Sequence, residues 1–369
     1  MPNRKGQPPR IFAAPLRYLQ GPGVLDSVGS EVARIGSSAV LVAGPMAHRL
    51  IDARVQRSCE AAGVSLRLLT FGGEITRPEI DRMCASLAQD PPAVVLAAGG
   101  GKSIDAGKGV ARTLACEVIT IPTVASNDAP TSKILVVYDH HHRIVDVEHM
   151  THNPAAVLVD TALIAQAPRQ LLLAGIGDAL SKKFEVACCH GAGGHNIHGG
   201  MGTLTALALA DLSYRLLREH SVAALRALDT GQPDDALEAV VEASVLLSGL
   251  CFENGGLSIA HAMTRGLTAV RGAVDQLHGL QVAYGLMVQL VLEERPIDFL
   301  VELAGFYRQI GLPVSLGALG MTNPPPTPQE MGKIAELTLS SPMSRNFARA
   351  LTVEQVVAAM HTVESVAAG

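Results

Sequence analysis

The chain has 369 residues, room for one large domain or two ordinary ones, and 48% of them are apolar, so a sizeable core can form. A formal net charge of −5 gives no general attraction for nucleic acid or an anionic membrane. No apolar run reaches the roughly 18 residues a membrane-spanning helix needs.

Met1 to Arg10 is polar and basic with no apolar stretch behind it, so no signal peptide is expected. Six cysteines (Cys59, Cys84, Cys116, Cys188, Cys189, Cys251) lie scattered in mostly apolar text and read as buried, reduced thiols of a cytoplasmic protein. Ala39 to Gly44 reads as a buried strand, followed by a helix through Val55 to Ala62. Ser65 to Gly73 is a second strand, with a helix over Arg77 to Ala88. "AVVLAAGGG" is a third strand, then comes a helix over Ile104 to Leu114, and Glu117 to Thr123 is a fourth strand. Continuous apolar strands separated by helices predict a parallel sheet covered on both faces, with ligands at the strands' carboxyl ends.

From about Thr161 the text turns helical, with predicted helices over Gly177 to Cys189, Leu204 to Glu219, Asp235 to Leu250 and Gly279 to Glu294. "TNPPPTPQE" (Thr322 to Glu330) reads as a proline-rich loop between late helices, and there are no internal repeats.

The turn after the third strand, Gly99-Gly100-Gly101-Lys102-Ser103, invites comparison with a phosphate loop. That loop needs a glycine where this chain has Leu96, inside the strand, so the wide phosphate-wrapping turn cannot form. The G-x-G-x-x-G fingerprint is also absent. A tight glycine turn feeding a helix N-terminus is left, which suits a pyrophosphate and favours a dinucleotide over ATP. A plain strand-to-helix turn would look the same.

"IPTVASNDAPTSK" (Ile121 to Lys133), "GIGDALSKKFE" (Gly175 to Glu185) and "HGLQVAYG" (His278 to Gly285), in that order, resemble the glycerol dehydrogenase branch of the iron-containing alcohol dehydrogenase superfamily. The likeness runs from "RYLQGPGVL" near the start to "LTVEQVVAAM" near the end. It implies an α/β dinucleotide-binding domain over residues 1–162 and an all-α metal- and substrate-binding domain over 163–369, in a dehydroquinate synthase-like architecture. It also implies an active site in the cleft between them and a homo-oligomer, often an octamer.

The resemblance makes Asp178, His261 and His278 the metal ligands, which also touch substrate. One carboxylate and two imidazoles form an open site suited to zinc, with a position left for a substrate oxygen. Each residue alone could instead be a helix cap or a hydrogen-bonded core histidine. Iron-dependent relatives carry a histidine four residues after the aspartate; here that residue is Lys182, which argues for zinc. Two other histidine-rich stretches, "DHHHRIVDVEHMTHN" (Asp139 to Asn153) and "CCHGAGGHNIH" (Cys188 to His198), match no regular zinc spacing. They read as a solvated hairpin and a loop between helices.

By the same resemblance Gly100, Gly101, Lys102 and Asp105 lie at the pyrophosphate of NAD. Thr123 and Ser126 line the cofactor, with Ser132, Ile134 and Tyr138 beside its nicotinamide half. Asp105 would repel phosphate unless it turns away, and it could be a plain N-terminal helix charge. Relatives carry an acidic residue after the first sheet strand for the adenine ribose; here Gly44-Pro45 stands there, so NADP is not excluded, and His48 or Arg49 could assist its phosphate. Asp128 in "ASNDAP" matches the position that binds a polyol's second hydroxyl, unless it only forms the turn. Phe252 is an apolar wall of that pocket or simply core.

The implied activity is reversible hydride transfer from a polyol, glycerol or another vicinal diol, to NAD. A 2-oxo acid reductase of the same family, with Lys133 facing a carboxylate, is the nearest alternative. An alternative of another class is a dehydroquinate synthase-like lyase, which would need several phosphate-binding basic residues.

Overall fold

The computed structural model describes residues 8–140 and 143–368. Among these, six strands form one parallel sheet: β1 (Tyr18–Gly21), β2 (Ser38–Ala43), β3 (Ser65–Thr70), β4 (Val94–Gly99), β5 (Glu117–Pro122) and, after an intervening hairpin, β8 (Ala156–Asp160). The hairpin is antiparallel and consists of β6 (Ile134–Tyr138) and β7 (Ile144–His149). The sheet order is β1-β8-β5-β4-β2-β3, with every pair parallel.

The central strands read as unbroken apolar runs because both faces are covered. Leu41, Ala43, Leu96, Ala98 and Ile121 point to one side, where α1 (Val28–Ala33) and α2 (Pro45–Ala61) supply Val28, Val32, Ile51 and Val55. Val40, Val42, Val95 and Ala97 point to the other, against Ile80 and Met83 of α3 (Arg77–Leu87) and Ala106 and Val110 of α4 (Gly101–Leu114). Leu135 and Val137 of the hairpin join this second layer. Full burial of each such side chain contributes about 1.5–3 kcal/mol, so these layers dominate the stability of the sheet. β3 lies at the edge, and Leu68 there is half exposed.

The four strands expected from the text are present within a residue or so of their expected starts. β1 and β8 were not expected as strands; they pair with each other, Tyr18 opposite Val157. The chain runs from β2 out to β3 and then crosses back to β4 on the other side of β2. The order therefore reverses between β2 and β4, and their carboxyl ends flank the crevice where open α/β sheets take ligands.

The helical part contains α6 (Arg169–Gly191), α7 (Leu204–Thr230), α9 (Ser248–Gly255), α10 (Ile259–Leu267), α11 (His278–Leu292), α12 (Ile297–Ile310), α13 (Pro328–Ser340) and α14 (Val353–Ala368). The proline-rich loop ends earlier than expected. Thr327 and Glu330 form a reciprocal cap and Pro328 takes the first helical position, where its missing N–H costs nothing.

The chain forms two compact units that do not follow a single cut. One holds Ala13–Pro168 and Arg226–Gly249; the other holds the segment ending at Phe12, Arg169–Leu225 and Leu250 onward. The sheet unit thus includes all of α5 (Thr161–Ile164), which the expected boundary after residue 162 divides, as well as α8 (Asp235–Val241) and the π-helical turn Glu242–Leu247, expected in the helical part. The reason is local bonding: Glu238 of α8 accepts from Gln20 Nε2 at 2.6 Å and from the Thr161 hydroxyl at 2.5 Å, joining α8 to β1 and to the start of α5. The segment ending at Phe12 goes with the helices because the Asn196 side chain donates to the Ile11 carbonyl at 2.9 Å. No described helix is long and apolar enough to cross a membrane.

Candidate metal centre and dinucleotide turn

In the helical unit, α6 and α11 cross at a point that only glycine permits. A Cβ on Gly279 would lie 1.8 Å from the Ala174 carbonyl oxygen, and one on Gly177 would lie 2.5 Å from the Gly279 carbonyl oxygen. The next residue on α6 is Asp178 and the residue before Gly279 is His278, so the close crossing sets these two side by side. α10 contributes His261. Ligand atoms of Asp178, His261 and His278 all lie within 4.8 Å of one another, the single such group among the described residues. Asp178 and His261 are buried and His278, at the first residue of α11, is exposed, so the cluster has a closed side and an open one.

Lys182 and Glu185 follow Asp178 on the same face of α6. The Lys182 ammonium donates to Asp178 Oδ1 at 2.5 Å and lies 3.1 Å from His261 Nε2. Glu185 is fully buried; its Oε2 is 2.5 Å from His261 Nδ1, and its Oε1 accepts from the backbone N–H of Ser258 at 2.8 Å and of His261 at 3.0 Å. His261 Nε2 is thereby turned to Asp178 Oδ1, 3.1 Å away. Burial opposes ionisation of Asp178, but Lys182 and His261 outweigh it and hold the carboxyl well below its usual range. Burial would depress His261, yet Glu185 and Asp178 push it up to about 9. The donors of Asp178, His261 and His278, one carboxylate and two imidazoles, fit zinc, and Lys182 adjoins two of these residues.

In the sheet unit, Gly100 caps α4 and Gly101 opens it. Gly99 has φ +133°, and a Cβ there would lie 2.8 Å from Ser103 Cβ, so glycine is needed for the turn. The first N–H groups of α4 face the crevice end of β4. Thr123, at the end of β5, donates its N–H to the Gly99 carbonyl at 3.1 Å. Lys102 pairs with Glu74 at 2.7 Å and lies over the Tyr138 ring, 5.2 Å from its centroid. Burial, Asp105 and Glu74 push the Tyr138 hydroxyl up to about 12.

Asp105 faces away from the turn. It is buried, accepts from Lys108 Nζ at 3.1 Å and from the Val136 N–H at 3.0 Å, and burial raises its pKa. Lys108 also reaches the Ser132 hydroxyl at 3.3 Å and the Ile134 carbonyl at 2.8 Å. Asp105, Ser132 and Ile134 thus meet in a brace between α4 and the hairpin. Ser126 is half-buried beyond β5, and Phe252 is buried in α9.

Asp128 is half-buried, and its Oδ2 accepts from the Ser248 hydroxyl at 2.9 Å. Both residues take part in the turn: Asn127 Oδ1 accepts from the Ala129 N–H at 3.1 Å, and the Asp128 carbonyl accepts from the Thr131 N–H at 3.2 Å. The other histidine-rich stretches form no metal cluster among the described residues; His141 and His142 lie outside them. All six cysteines are free thiols.

The family model of iron-containing alcohol dehydrogenases matches residues 15–161. The glycerol dehydrogenase of Escherichia coli O6:H1 is 36% identical over 352 residues, covering 95% of each chain. The glycolaldehyde reductase of Halobacterium salinarum is 38% identical over 314 residues, 85% of this chain and 86% of that one. The crystal structure of Schizosaccharomyces pombe glycerol dehydrogenase matches with a TM-score of 0.93 at 32% identity, covering 98% of this chain and 92% of that one.

The chain belongs to the iron-containing alcohol dehydrogenases, in their glycerol dehydrogenase branch. It is an oxidoreductase acting as an alcohol dehydrogenase.

No carboxylate follows β2, where Gly44 caps α2 and Pro45 opens it; His48 is held by Asp52 at 2.8 Å and by the Leu69 carbonyl at 3.3 Å, while Arg49 is exposed. And Lys182 is buried against two candidate ligands of this alcohol dehydrogenase. Sequence reasoning missed Glu185, although its spacing of seven residues from Asp178, two helical turns, was a usable signal.

Proposed function

We propose that the protein oxidises a vicinal diol, and reduces the corresponding hydroxycarbonyl compound, with NAD and one zinc ion held by Asp178, His261 and His278. The observation that carries this reading is the convergence of those three side chains, two buried and one exposed, in a chain similar to two enzymes whose names denote glycerol and glycolaldehyde. Both compounds carry oxygens on adjacent carbons.

When bound, zinc supplies Lewis acidity that lowers the pKa of an alcohol oxygen, and NAD supplies the hydride acceptor. The chain's own residues do the rest. Glu185 holds His261 with Nε2 toward the ligand set. Gly100, Gly101 and the N–H groups that open α4 receive the pyrophosphate, with Lys102 at the rim beside Tyr138. Thr123 and Ser126 line the cofactor beyond β5, and Asp105 with Lys108 fixes the hairpin carrying Ser132, Ile134 and Tyr138. Asp128 accepts a hydrogen bond from the hydroxyl adjacent to the reacting one. The working protein is a homo-oligomer of the cytoplasm.

The test is metal removal on the purified enzyme with a panel of diols and 2-hydroxy acids. Chelation should abolish diol oxidation and zinc should restore it; elemental analysis should find zinc in excess of iron. His278→Ala should lose bound metal and stay folded, because His278 is exposed. Full activity without metal, or preference for 2-hydroxy acids over every diol, would overturn the reading.

A further inference from the structure

The helix that begins at α8 does not run as a regular α-helix to its end. Between Glu242 and Leu247 it winds as a π turn, and the Ser248 N–H bonds to the Ala243 carbonyl, five residues back instead of four. One α-helical residue subtends about 100°, so an inserted residue resets the facing of everything after it. Such insertions recur at functional sites.

Here the reset has a specific result within the sheet unit. Ser248 is fully buried and donates its hydroxyl to Asp128 Oδ2 at 2.9 Å. The Thr131 hydroxyl lies 2.9 Å from the Val245 carbonyl inside the π turn and 3.1 Å from the Asp128 carbonyl. A Cβ on Gly249 would sit 1.9 Å from the Thr131 hydroxyl, so the turn at residues 128–131 presses directly on the helix. Backbone and side chain of Asp128 are therefore both tied to this one irregular segment.

We propose that Ser248 is a positioning residue for diol specificity: its hydroxyl, aimed by the π turn, fixes the carboxylate of Asp128 in the orientation that accepts the substrate's second hydroxyl. This rests on the proposed role of Asp128. A half-buried carboxylate can rotate about its own side-chain bonds, and an acceptor must be held in line to discriminate between one hydroxyl and two. A donor that is itself locked in the core supplies that constraint, and charge-assisted hydrogen bonds of this kind are the stronger ones.

The experiment compares kcat and KM for propane-1,2-diol and for propan-2-ol in the zinc-loaded enzyme. The variants are Ser248→Ala, Ser248→Thr, Asp128→Ala and the Ser248→Ala/Asp128→Ala double variant, with thermal melts and bound zinc measured for each. Ser248→Ala should raise KM for the diol about tenfold more than for the mono-alcohol. Ser248→Thr, which keeps the hydroxyl, should recover most of that preference wherever its melt matches the parent. In the Asp128→Ala background the serine change should add nothing to the diol loss. If Asp128→Ala erases the diol preference and Ser248→Ala leaves it intact, the proposal for Ser248 fails while the reading of Asp128 stands. If Ser248→Ala weakens both substrates equally, the serine is merely structural and the proposal also fails. If Asp128→Ala itself leaves the preference untouched, the role of Asp128 falls and the proposal with it.

Discussion

The two ring nitrogens of His261 face different partners: Nδ1 meets Glu185 and Nε2 meets Asp178 and Lys182. A histidine ligates metal through a nitrogen whose lone pair is set by what the other nitrogen bonds, and loss of such an outer partner typically weakens metal binding 10–100-fold. Glu185→Gln keeps the shape but swaps one acceptor oxygen for a donor. It should weaken zinc binding by about that factor in a competition titration with a chromophoric chelator, and an unchanged affinity would remove Glu185 from the centre. A second residue-scale prediction concerns Gly44. Its φ of −74° is ordinary, and a Cβ there meets Ser103 Oγ at 3.5 Å, normal contact, so Asp is tolerated and also suits the helix cap. Gly44→Asp should cut kcat/KM for NADP at least about tenfold more than for NAD, by repulsion of the 2′-phosphate. Equal effects on both cofactors would show that adenine ribose binds elsewhere.

At the scale of elements, the metal set depends on how closely α6 and α11 cross. Gly279→Ala puts a methyl group into the Ala174 carbonyl, so the helices must separate, and overpacking of this kind costs about 1–3 kcal/mol. The thermal midpoint should fall by several degrees and bound zinc should drop with it. Gly305→Ala in α12 is the control: nothing lies within 4 Å of a Cβ there, and Ala favours a helix interior over Gly by about 1 kcal/mol, so stability should hold or rise. A midpoint unmoved by Gly279→Ala would mean that the crossing relaxes freely. The brace of Asp105, Lys108 and the hairpin is of the same order. In it the Asp105 carboxyl is turned to partners inside the sheet unit, Lys108 and the Val136 N–H. The sequence left that residue's role open, since nothing local says which way the first turn of α4 points.

For the whole molecule, the ligand cluster carries its own compensating charge. Lys182 lies against Asp178 and His261, so the buried Asp178 carboxylate has a cationic partner within the chain itself. The chelated protein should therefore keep its far-UV circular dichroism and a cooperative melt while losing activity; unfolding on chelation would mark the zinc as structural. The partition into two units also matters here, because the helix running from Asp235 to Gly255 contributes its first part to the sheet unit and its last part to the helical one. Composition marked where strands give way to helices near Thr161, but it carried no sign that Glu238 of α8 bonds back to Gln20 of β1.

The sequence by itself determined what short-range physics controls. Apolar runs of strand length bounded by helices specify a doubly covered parallel sheet, and the glycine turn before Lys102 specifies a helix start without a phosphate loop. The motifs around Asp178, His261 and His278 identified the branch, because those residue types in those contexts need no folded context to be read. Tertiary structure alone decided the strand order, hence the crevice between β2 and β4, since pairing across the sheet joins residues far apart in the chain. It decided that Asp105 braces the hairpin, that Glu185 orients His261, and that Ser248 meets Asp128 through a π turn. Each of these is a choice of facing among buried groups, and facing follows from which elements touch.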